Sequence, residues 1–256
     1  MCSSDLAKLI LPEFLYYFLK NNIEYLNSLG RGATFKEISK QIVSKIKINL
    51  PTLITQEAIV KELDSLHRLK ELQEQQLTEY DNLAQCTFYS MFGDPIENER
   101  GWEVKKLGKV CEITSSKRIF AEEYQQEGIP FYRSKEIIEK GKKTNISIEL
   151  FISNERYSEV KESFGVPKIG DILMTAVGTI GEIWVVNTED PFYFKDGNIV
   201  WLKMNKSISS TFFEFALKKL VNEYKIKMSI GSAYSALTII NLKNMQVILQ
   251  IGRAHV

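Results

Sequence analysis

The sequence predicts an α+β protein in which a domain of mixed strands and helices is joined to a long helix of the coiled-coil type. Two observations support this prediction. Residues 55–92 contain neither glycine nor proline, and after residue 101 short β-like stretches precede a helical one. A weak repeat of residue order is a third observation, and it indicates that the residues before the long helix are the last part of another domain of the same kind.

The composition narrows the function classes. The 256 residues carry 33 Lys and Arg against 32 Asp and Glu, so no global field draws the chain to nucleic acid or membrane, although a local basic face is allowed. No stretch reaches about 18 apolar residues, so we expect no membrane partner and a cytoplasmic location. Three cysteines and two histidines leave little material for a zinc site or a disulfide framework.

Both termini have the character of foreign sequence. If the first codon is GTG, then GTG TGC TCT TCC GAT CTN encodes residues 1–6, and its reverse complement encodes residues 250–255. Hexapeptides related in this way are typical of sequencing-adapter DNA translated at both ends of a fragment. We therefore treat residues 1–6 and 251–256 as non-native, exclude them from the fold argument and expect the natural protein to be longer.

The order of features before the long helix recurs near the other end. Residues 14–20 (FLYYFLK) predict a helix, and the glycines near residue 30 predict a turn. The partial alternation of apolar and polar residues over 42–50 predicts a strand that ends at Pro51. A similar order recurs over 212–249, at a spacing of about 200 residues.

Residues 55–92 predict one continuous helix, with Thr55 as the N-cap and Pro95 beyond its end. At about 1.5 Å per residue, such a helix is roughly 55 Å long. Polar residues interrupt its heptad spacing, which suits an antiparallel helix pair better than a regular zipper. A surface helix on its own domain is the alternative. The predicted partner seam comprises Leu63, Leu66, Leu77 and Tyr80.

A linker over 93–101 leads into the second domain, predicted over 102–250. Short strands are expected in this domain, together with one helix over 211–227. The β-like stretches are 104–113, 172–177, 182–186 and 198–204.

Side chains suited to nucleic acid occur in predicted loops or strand ends of this domain, where a rigid scaffold can present them. Arginine can hold guanine or phosphate with two parallel hydrogen bonds, and lysines and hydroxyls suit phosphate oxygens. A salt bridge to Glu136 or Glu139 is the alternative for Arg133, a solvated face is the alternative for the lysines, and the GTIG stretch is a hairpin turn by default. The candidates are Lys117, Arg118, Arg133, Ser134, Lys135, Thr175, Gly178, Thr179, Ser232, Tyr234 and Ser235.

Signals for catalysis are weak, and we predict no catalytic residue and no metal site. Asp94 with Glu103 and Lys105 matches a loose D…E-x-K nuclease pattern that arises easily by chance. His67 is expected to be exposed on the long helix. Cys86 and Cys111 are expected to be buried as small hydrophobes.

Residues 51–59 (PTLITQEAI), leading into a long helix that ends in MFGDP, resemble the specificity subunit of type I restriction-modification systems. Residues 101–108 (GWEVKKLG) resemble the start of that family's target-recognition domain. The family's helix entry usually has a second proline and a Glu-Gln pair, where this chain has Thr52 and then Thr55 and Gln56. The resemblance covers almost all of residues 7–250, with further matches at 130–133, 170–173, 178–181 and 231–242.

The resemblance implies two recognition domains joined by antiparallel helices, each domain reading one half of a split DNA site. Residues 7–54 would end the first domain, 55–92 would be a spacer helix and 102–250 most of the second domain. The implied protein is a non-catalytic subunit that binds double-stranded DNA, modification (methyltransferase) subunits and a restriction subunit. S-adenosylmethionine, ATP and Mg would belong to those partners, so no cofactor is expected on this chain. A metal-dependent nuclease and a coiled-coil scaffold without DNA reading are the alternatives.

Overall fold

The computed structural model describes residues 9–30, 37–205, 208–229 and 237–249. The chain forms two compact units, Met1–Leu83 and Ala84–Val256. The boundary between them falls inside a continuous helix. Both predicted foreign ends, and the candidates Ser232, Tyr234 and Ser235, lie outside the described residues.

The first unit is helical in its described part. Proline in the first turn, with Glu13 beside it and Lys20 in the last turn, suits the start and end of the first helix. This confirms the helix predicted over 14–20. The helices are α1 Pro12–Asn21, α2 Ile23–Leu29, α3 Lys40–Val43 and the first part of α4 Leu53–Phe92.

The side chain of Gln56 holds the entry to α4 against the segment before α1. It is fully buried, accepts a hydrogen bond from the Leu11 backbone at 2.9 Å, and donates to the carbonyls of Leu9 and Pro51, each at 2.9 Å. A buried amide with this many partners is satisfied rather than destabilising. Gln56 therefore has a structural role.

The strand predicted over 42–50 is wrong. Residues Lys40–Val43 form α3, and residues 46–50 follow it without pairing to a strand in the described part of the chain. The pattern was ambiguous, because Ile42 and Ile46 are spaced for a helix while Ile46, Ile48 and Leu50 alternate as in a strand. Alternation makes a strand only where a neighbouring strand supplies backbone partners.

The predicted long helix is confirmed as one continuous element, but it begins two residues early, at Leu53. The Thr52 hydroxyl accepts a hydrogen bond from the Thr55 backbone at 3.3 Å, so Thr52 has the capping role predicted for Thr55. The helix ends at Phe92, where Gly93 has a φ of 76°. Glycine adopts this left-handed backbone conformation readily, which fits the predicted stop.

The described part of the second unit contains three small sheets, four short helices and one helix of 20 residues. Its helices are α5 Leu107–Val110, α6 Ser134–Gly141, α7 Asn154–Ser163, α8 Ser210–Ser229 and α9 Ile239–Asn244. Its strands are β1 Glu103–Lys106, β2 Glu112–Thr114, β3 Ile129–Tyr132, β4 Phe151–Ile152, β5 Ile172–Thr175, β6 Ile183–Val185, β7 Tyr193–Phe194, β8 Ile199–Lys203 and β9 Gln246–Leu249.

The central sheet is antiparallel, with strand order β2-β8-β5-β6. A second sheet has the order β4-β3-β7, in which β3 and β7 run parallel, and β1 pairs with β9. The predicted hairpin at the GTIG turn is confirmed by the pairing of β5 with β6. The strand predicted over 104–113 is corrected to β1, α5 and β2, because the short helix α5 interrupts it at Leu107, which is fully buried.

The central sheet packs on α8, and the predicted helix over 211–227 lies within α8. Their shared core includes Ile172, Met174 and Phe213, all fully buried. A second apolar cluster lies around Tyr132 and Trp184. Short, buried strands with many connections place several loops at strand ends, and these loops contain the candidate site.

Candidate functional site

The turn between β7 and β8, residues 195–198, contacts the segments that the sequence analysis singled out. The Lys195 backbone donates to the Tyr132 carbonyl at 2.9 Å, immediately before Arg133. The Gly197 backbone donates to the Ser115 hydroxyl at 3.3 Å. The Ala176 backbone donates to the Asn198 carbonyl at 2.8 Å. One turn thus joins three candidate segments that are far apart in sequence.

Strand register explains this convergence. Thr175 at the end of β5 pairs with Ile199 at the start of β8, and the end of β2 pairs near the same point. Because β3 and β7 run parallel, their ends lie together as well, with Tyr132 beside Phe194. We call these adjacent segments the loop edge, and they comprise residues 115–118, 133–135, 176–181 and 195–198.

Lys117 and Arg118 are exposed on the loop edge. The Lys117 ammonium lies 4.9 Å from the centre of the Phe164 ring, and its backbone nitrogen donates to the Tyr193 hydroxyl at 2.7 Å. The Arg118 Nε donates to Asp196 at 2.8 Å, and this hydrogen bond raises the pKa of Arg118. The Lys117 head group makes no ion pair in the described structure, so it can contact an anion directly.

Arg133 and Lys135 are held by carboxylates. Arg133 pairs with buried Glu136 at 2.7 Å and with Glu149 at 2.8 Å, and Lys135 pairs with Glu149 at 2.8 Å. The alternative of a salt bridge to Glu136 is therefore present, whereas the partner Glu139 is replaced by Glu149. Ser134 follows as the first residue of α6 and is partly buried.

These pairs shift the titration of their members. Hydrogen bonds from Lys135 and then Arg133 lower the pKa of Glu149 to about 2. Hydrogen bonds to Glu136 and then Glu149 raise the pKa of Arg133, and the bond to Glu149 raises the pKa of Lys135. Arg133, Lys135 and Glu149 are therefore charged at neutral pH, and together with Glu136 the cluster holds two basic and two acidic side chains.

The assignment of Thr175 as a contact residue is corrected by its burial. Its side chain is fully buried, and its hydroxyl donates to the Thr179 carbonyl and accepts from the Glu182 backbone at 3.0 Å. Thr175 therefore fixes the shape of the β5–β6 turn. Gly178 and Thr179 are exposed at the tip of that turn, where they can meet a ligand.

Lys195 and Glu149 also take part in the site, although neither was predicted from the sequence. Lys195 lies in the joining turn, and its ammonium is 3.3 Å from the Tyr124 hydroxyl. Glu149 binds two of the candidate cations but lies 14 residues beyond Lys135. Neither has a sequence signal of its own, because their importance comes from tertiary placement. The stretch KDGN around Lys195 reads only as a turn.

The nuclease pattern does not assemble into a metal site. Asp94 accepts a hydrogen bond from the Ile96 backbone at 2.7 Å, as in a turn, and Glu103 pairs with Lys105 at 2.8 Å. No group of three His, Cys, Asp or Glu side chains is placed to hold a metal within the described residues. Buried Cys111 and exposed His67 match prediction, whereas Cys86 is exposed and its predicted burial is wrong.

The predicted helix seam is largely open within the first unit. Leu66, Leu77 and Tyr80 are each more than half exposed, while Leu63 is partly buried. Leu69, Leu72 and Leu83 add further exposed apolar surface to α4.

Among the described helices, none has an apolar stretch that could cross a membrane.

Comparison with known proteins places this architecture in a family. A family model described as the type I restriction modification DNA specificity domain matches residues 2–80 and 99–249. A putative type I restriction enzyme specificity subunit of Haemophilus influenzae, S.HindORF215P, is 30% identical over 242 residues, which cover 91% of this chain and 59% of that protein. The MjaIX specificity subunit of Methanocaldococcus jannaschii is 28% identical over 148 residues, which cover 50% of this chain and 34% of that protein.

The fold is also similar to a solved one. The type I restriction-modification system S subunit from M. genitalium superposes with a TM-score of 0.51 at 23% identity, over 93% of this chain and 61% of that one. This chain therefore spans about three fifths of the length of S.HindORF215P and of the M. genitalium subunit. The family model, which matches most of the chain in two segments, shows that the chain belongs to the family of type I restriction-modification DNA specificity domains.

Proposed function

We propose that this chain is part of a DNA-specificity subunit and that the loop edge of its second unit contacts double-stranded DNA. The observation that carries the proposal is the convergence of residues 115–118, 133–135 and 176–181 on the turn 195–198. Loops held at adjacent strand ends can enter a groove together, as base contacts require. Membership in the family supports the same reading.

The groups on this edge suit two kinds of contact. Exposed Lys117 and Lys135 are suited to phosphate oxygens, which position a protein on DNA without reading its sequence. The exposed turn at Gly178 and Thr179 offers backbone and hydroxyl groups close to a ligand. Ser232, Tyr234 and Ser235 stay part of the proposal as sequence candidates, as does Arg133.

The chain is proposed to direct catalysis performed by other subunits. Modification subunits would supply methyl transfer with S-adenosylmethionine, and a restriction subunit would use ATP and Mg. The exposed apolar residues of α4 would bind a partner helix or a modification subunit. The assembly would act in the cytoplasm, on a DNA site with two separated halves.

The test compares Lys117→Ala with Lys203→Ala in binding to a labelled duplex. Lys203 is the control: like Lys117 it lies over an aromatic ring, 4.6 Å from the ring centre, but it is paired with Glu112 at the opposite end of the central sheet. Lys117→Ala should weaken binding to all sequences alike and reduce the salt slope by about 1, as expected for a lost phosphate contact. Lys203→Ala should change neither quantity.

Two results would contradict the proposal. One is the absence of salt-sensitive duplex binding by the chain reconstituted with modification subunits. The other is an equal loss of affinity in both lysine variants, which would place DNA away from the loop edge. Cleavage of DNA by the purified chain in the presence of a divalent metal would instead support the nuclease alternative.

A further inference from the structure

Arg133 on the loop edge is held by two carboxylates of different character. Glu136 is almost completely buried and accepts from the Arg133 backbone at 2.8 Å, from Nε at 3.3 Å and from Nη2 at 2.7 Å. Because it lies three residues further along, in the first turn of α6, its position is fixed by the helix. Glu136 therefore orients the guanidinium and is not accessible to a ligand.

Glu149 is the second carboxylate, and its side chain is 50% exposed. One of its oxygens accepts from Arg133 Nη2 at 2.8 Å, and the other accepts from Lys135 Nζ at 2.8 Å. A single anionic group with two oxygens thus bridges both cations. A phosphate group or the acceptor edge of a guanine would offer a comparable pair of acceptors.

The geometry of the guanidinium limits how Arg133 can bind anything else. An arginine has five N–H donors in a planar fork. Glu136 takes the side that carries Nε, so the two-donor edge left for a ligand is formed by Nη1 and Nη2. Glu149 occupies the Nη2 position of that edge. A two-bond contact from Arg133 therefore requires the departure of Glu149, while Glu136 can stay.

We propose that Glu149 is a gate on the loop edge, occupying the donor positions of Arg133 and Lys135 until a pair of DNA acceptors displaces it. This inference rests on the proposed DNA-binding function. The displaced Glu149 side chain rotates into solvent. Its displacement costs little free energy, because an exposed ion pair is only weakly stabilising. While Glu149 is bound to Arg133 and Lys135, it lowers the attraction of the loop edge for any phosphate backbone. It is displaced where the other contacts between the complex and DNA are strong enough to compensate for the lost ion pairs.

The gate acts through charge and not through proton uptake at ordinary pH. The pKa of Glu149 is lowered to about 2, first by Lys135 and then by Arg133. Its carboxylate therefore stays ionised well below neutral pH. A neutral side chain of similar shape is consequently the informative replacement.

The experiment measures binding of a panel of labelled duplexes of defined sequence by the reconstituted complex containing Glu149→Gln, over a range of salt. We expect about a two- to tenfold gain in affinity at low salt, with a salt slope steeper by up to about 0.9, since one competing negative charge is removed. The matched control is Glu112→Gln. Glu112 is also an exposed carboxylate paired with a lysine, at 2.7 Å, but it lies at the opposite end of the central sheet.

A second pair of variants tests whether the gain acts through the gated cations. Lys135→Met combined with Glu149→Gln should lose most of the gain shown by Glu149→Gln alone. The thermal unfolding midpoint should stay the same in both, since Glu149 and Lys135 are exposed. The gate would be contradicted if the double variant kept the full gain in affinity while Lys135→Met alone bound DNA with wild-type affinity.

The outcomes separate the two acceptor sources and the two proposals. An equal gain on all sequences assigns phosphate oxygens to the gated cations, and a gain limited to duplexes with guanine at one position assigns a base edge. If Glu149→Gln binds DNA with wild-type affinity, or if Glu112→Gln changes the affinity equally, the gate is overturned while the proposed DNA-binding function stands. Absence of duplex binding in every variant contradicts the proposed function as well.

Discussion

At the scale of single residues, Asp171 organises the entry to β5. Its carboxylate is buried and accepts from Trp201 Nε1 at 2.9 Å, from the Met204 backbone at 3.0 Å and from the Lys168 backbone at 2.9 Å. Asp171→Ala leaves these donors without an acceptor and should lower the free energy of unfolding by about 2–4 kcal/mol. Urea unfolding measures this. Asp190→Ala, at an exposed position, is the control, and an equal loss there would contradict the prediction.

The two described cysteines should differ in reactivity. Burial, followed by the nearby charge of Asp171, raises the pKa of the Cys111 thiol to about 12, whereas Cys86 is exposed on α4. Because the thiolate is the reactive form, maleimide at mildly alkaline pH should label Cys86 and spare Cys111 until the protein unfolds. A Cys2→Ser variant limits the assay to these two thiols. Rapid labelling of Cys111 in the native state would contradict the burial of its thiol.

At the scale of elements, the seating of α6 depends on Gly141. A β-carbon added there would lie 2.3 Å from the Ile183 carbonyl oxygen in β6, a backbone atom with little freedom to move. Gly141→Ala should therefore cost about 1–3 kcal/mol in stability, as for other overpacked sites. Gly108→Ala is the control, because its new β-carbon meets the Lys243 side chain at 3.0 Å. A smaller unfolding shift in Gly141→Ala than in Gly108→Ala would count against this packing.

The exposed apolar residues of α4 should drive association. Leu77→Lys with Tyr80→Lys should lower the sedimentation mass at high concentration, or weaken binding to a modification subunit, because large exposed apolar patches mark interaction sites. Asn82→Lys is the control, since at about 100° per residue it faces away from both. A wild-type chain that is monomeric at high concentration and indifferent to the modification subunit would disprove the prediction.

The elements were predictable where local pattern was sufficient. The absence of glycine and proline identified α4, and the GTIG turn between apolar stretches identified the β5–β6 hairpin. The strand over 42–50 failed because strand formation depends on a neighbour that the pattern does not contain. The break at Leu107 was missed because its burial is a tertiary property.

The candidate site was predictable only in part, for the same reason. Loop positions for Lys117 and Lys135 followed from the sequence, but their convergence depends on the register of β8 with β2 and β5. The role of Glu149 could not be predicted from the sequence, because no local sequence pattern relates it to Arg133. Thr175 was misassigned since a hydroxyl beside a turn can serve the turn or a ligand equally well.

At the scale of the whole molecule, stability should reside in the Ala84–Val256 unit. Every buried apolar residue of the described chain lies at Phe88 or beyond, while Gln56 is the buried residue of the first unit in the described ranges. A chain lacking residues 1–83 should keep its near-ultraviolet circular dichroism and its unfolding midpoint to within about 5 °C. A larger fall in the midpoint would show that the first unit stabilises the second.

The buried and the exposed residues of the β5–β6 turn should differ in how well they tolerate substitution. Thr175 shapes the turn from inside, and Gly181, with a φ of 84°, lies against Val221, whereas Val177 and Thr179 are exposed at the tip. Substitutions at the tip should therefore leave folding intact, while substitutions at the base should destabilise the turn. A library randomised at Val177, Thr179 and Lys117 should consist largely of folded members, and new ligand preferences can be selected from it without first stabilising the scaffold.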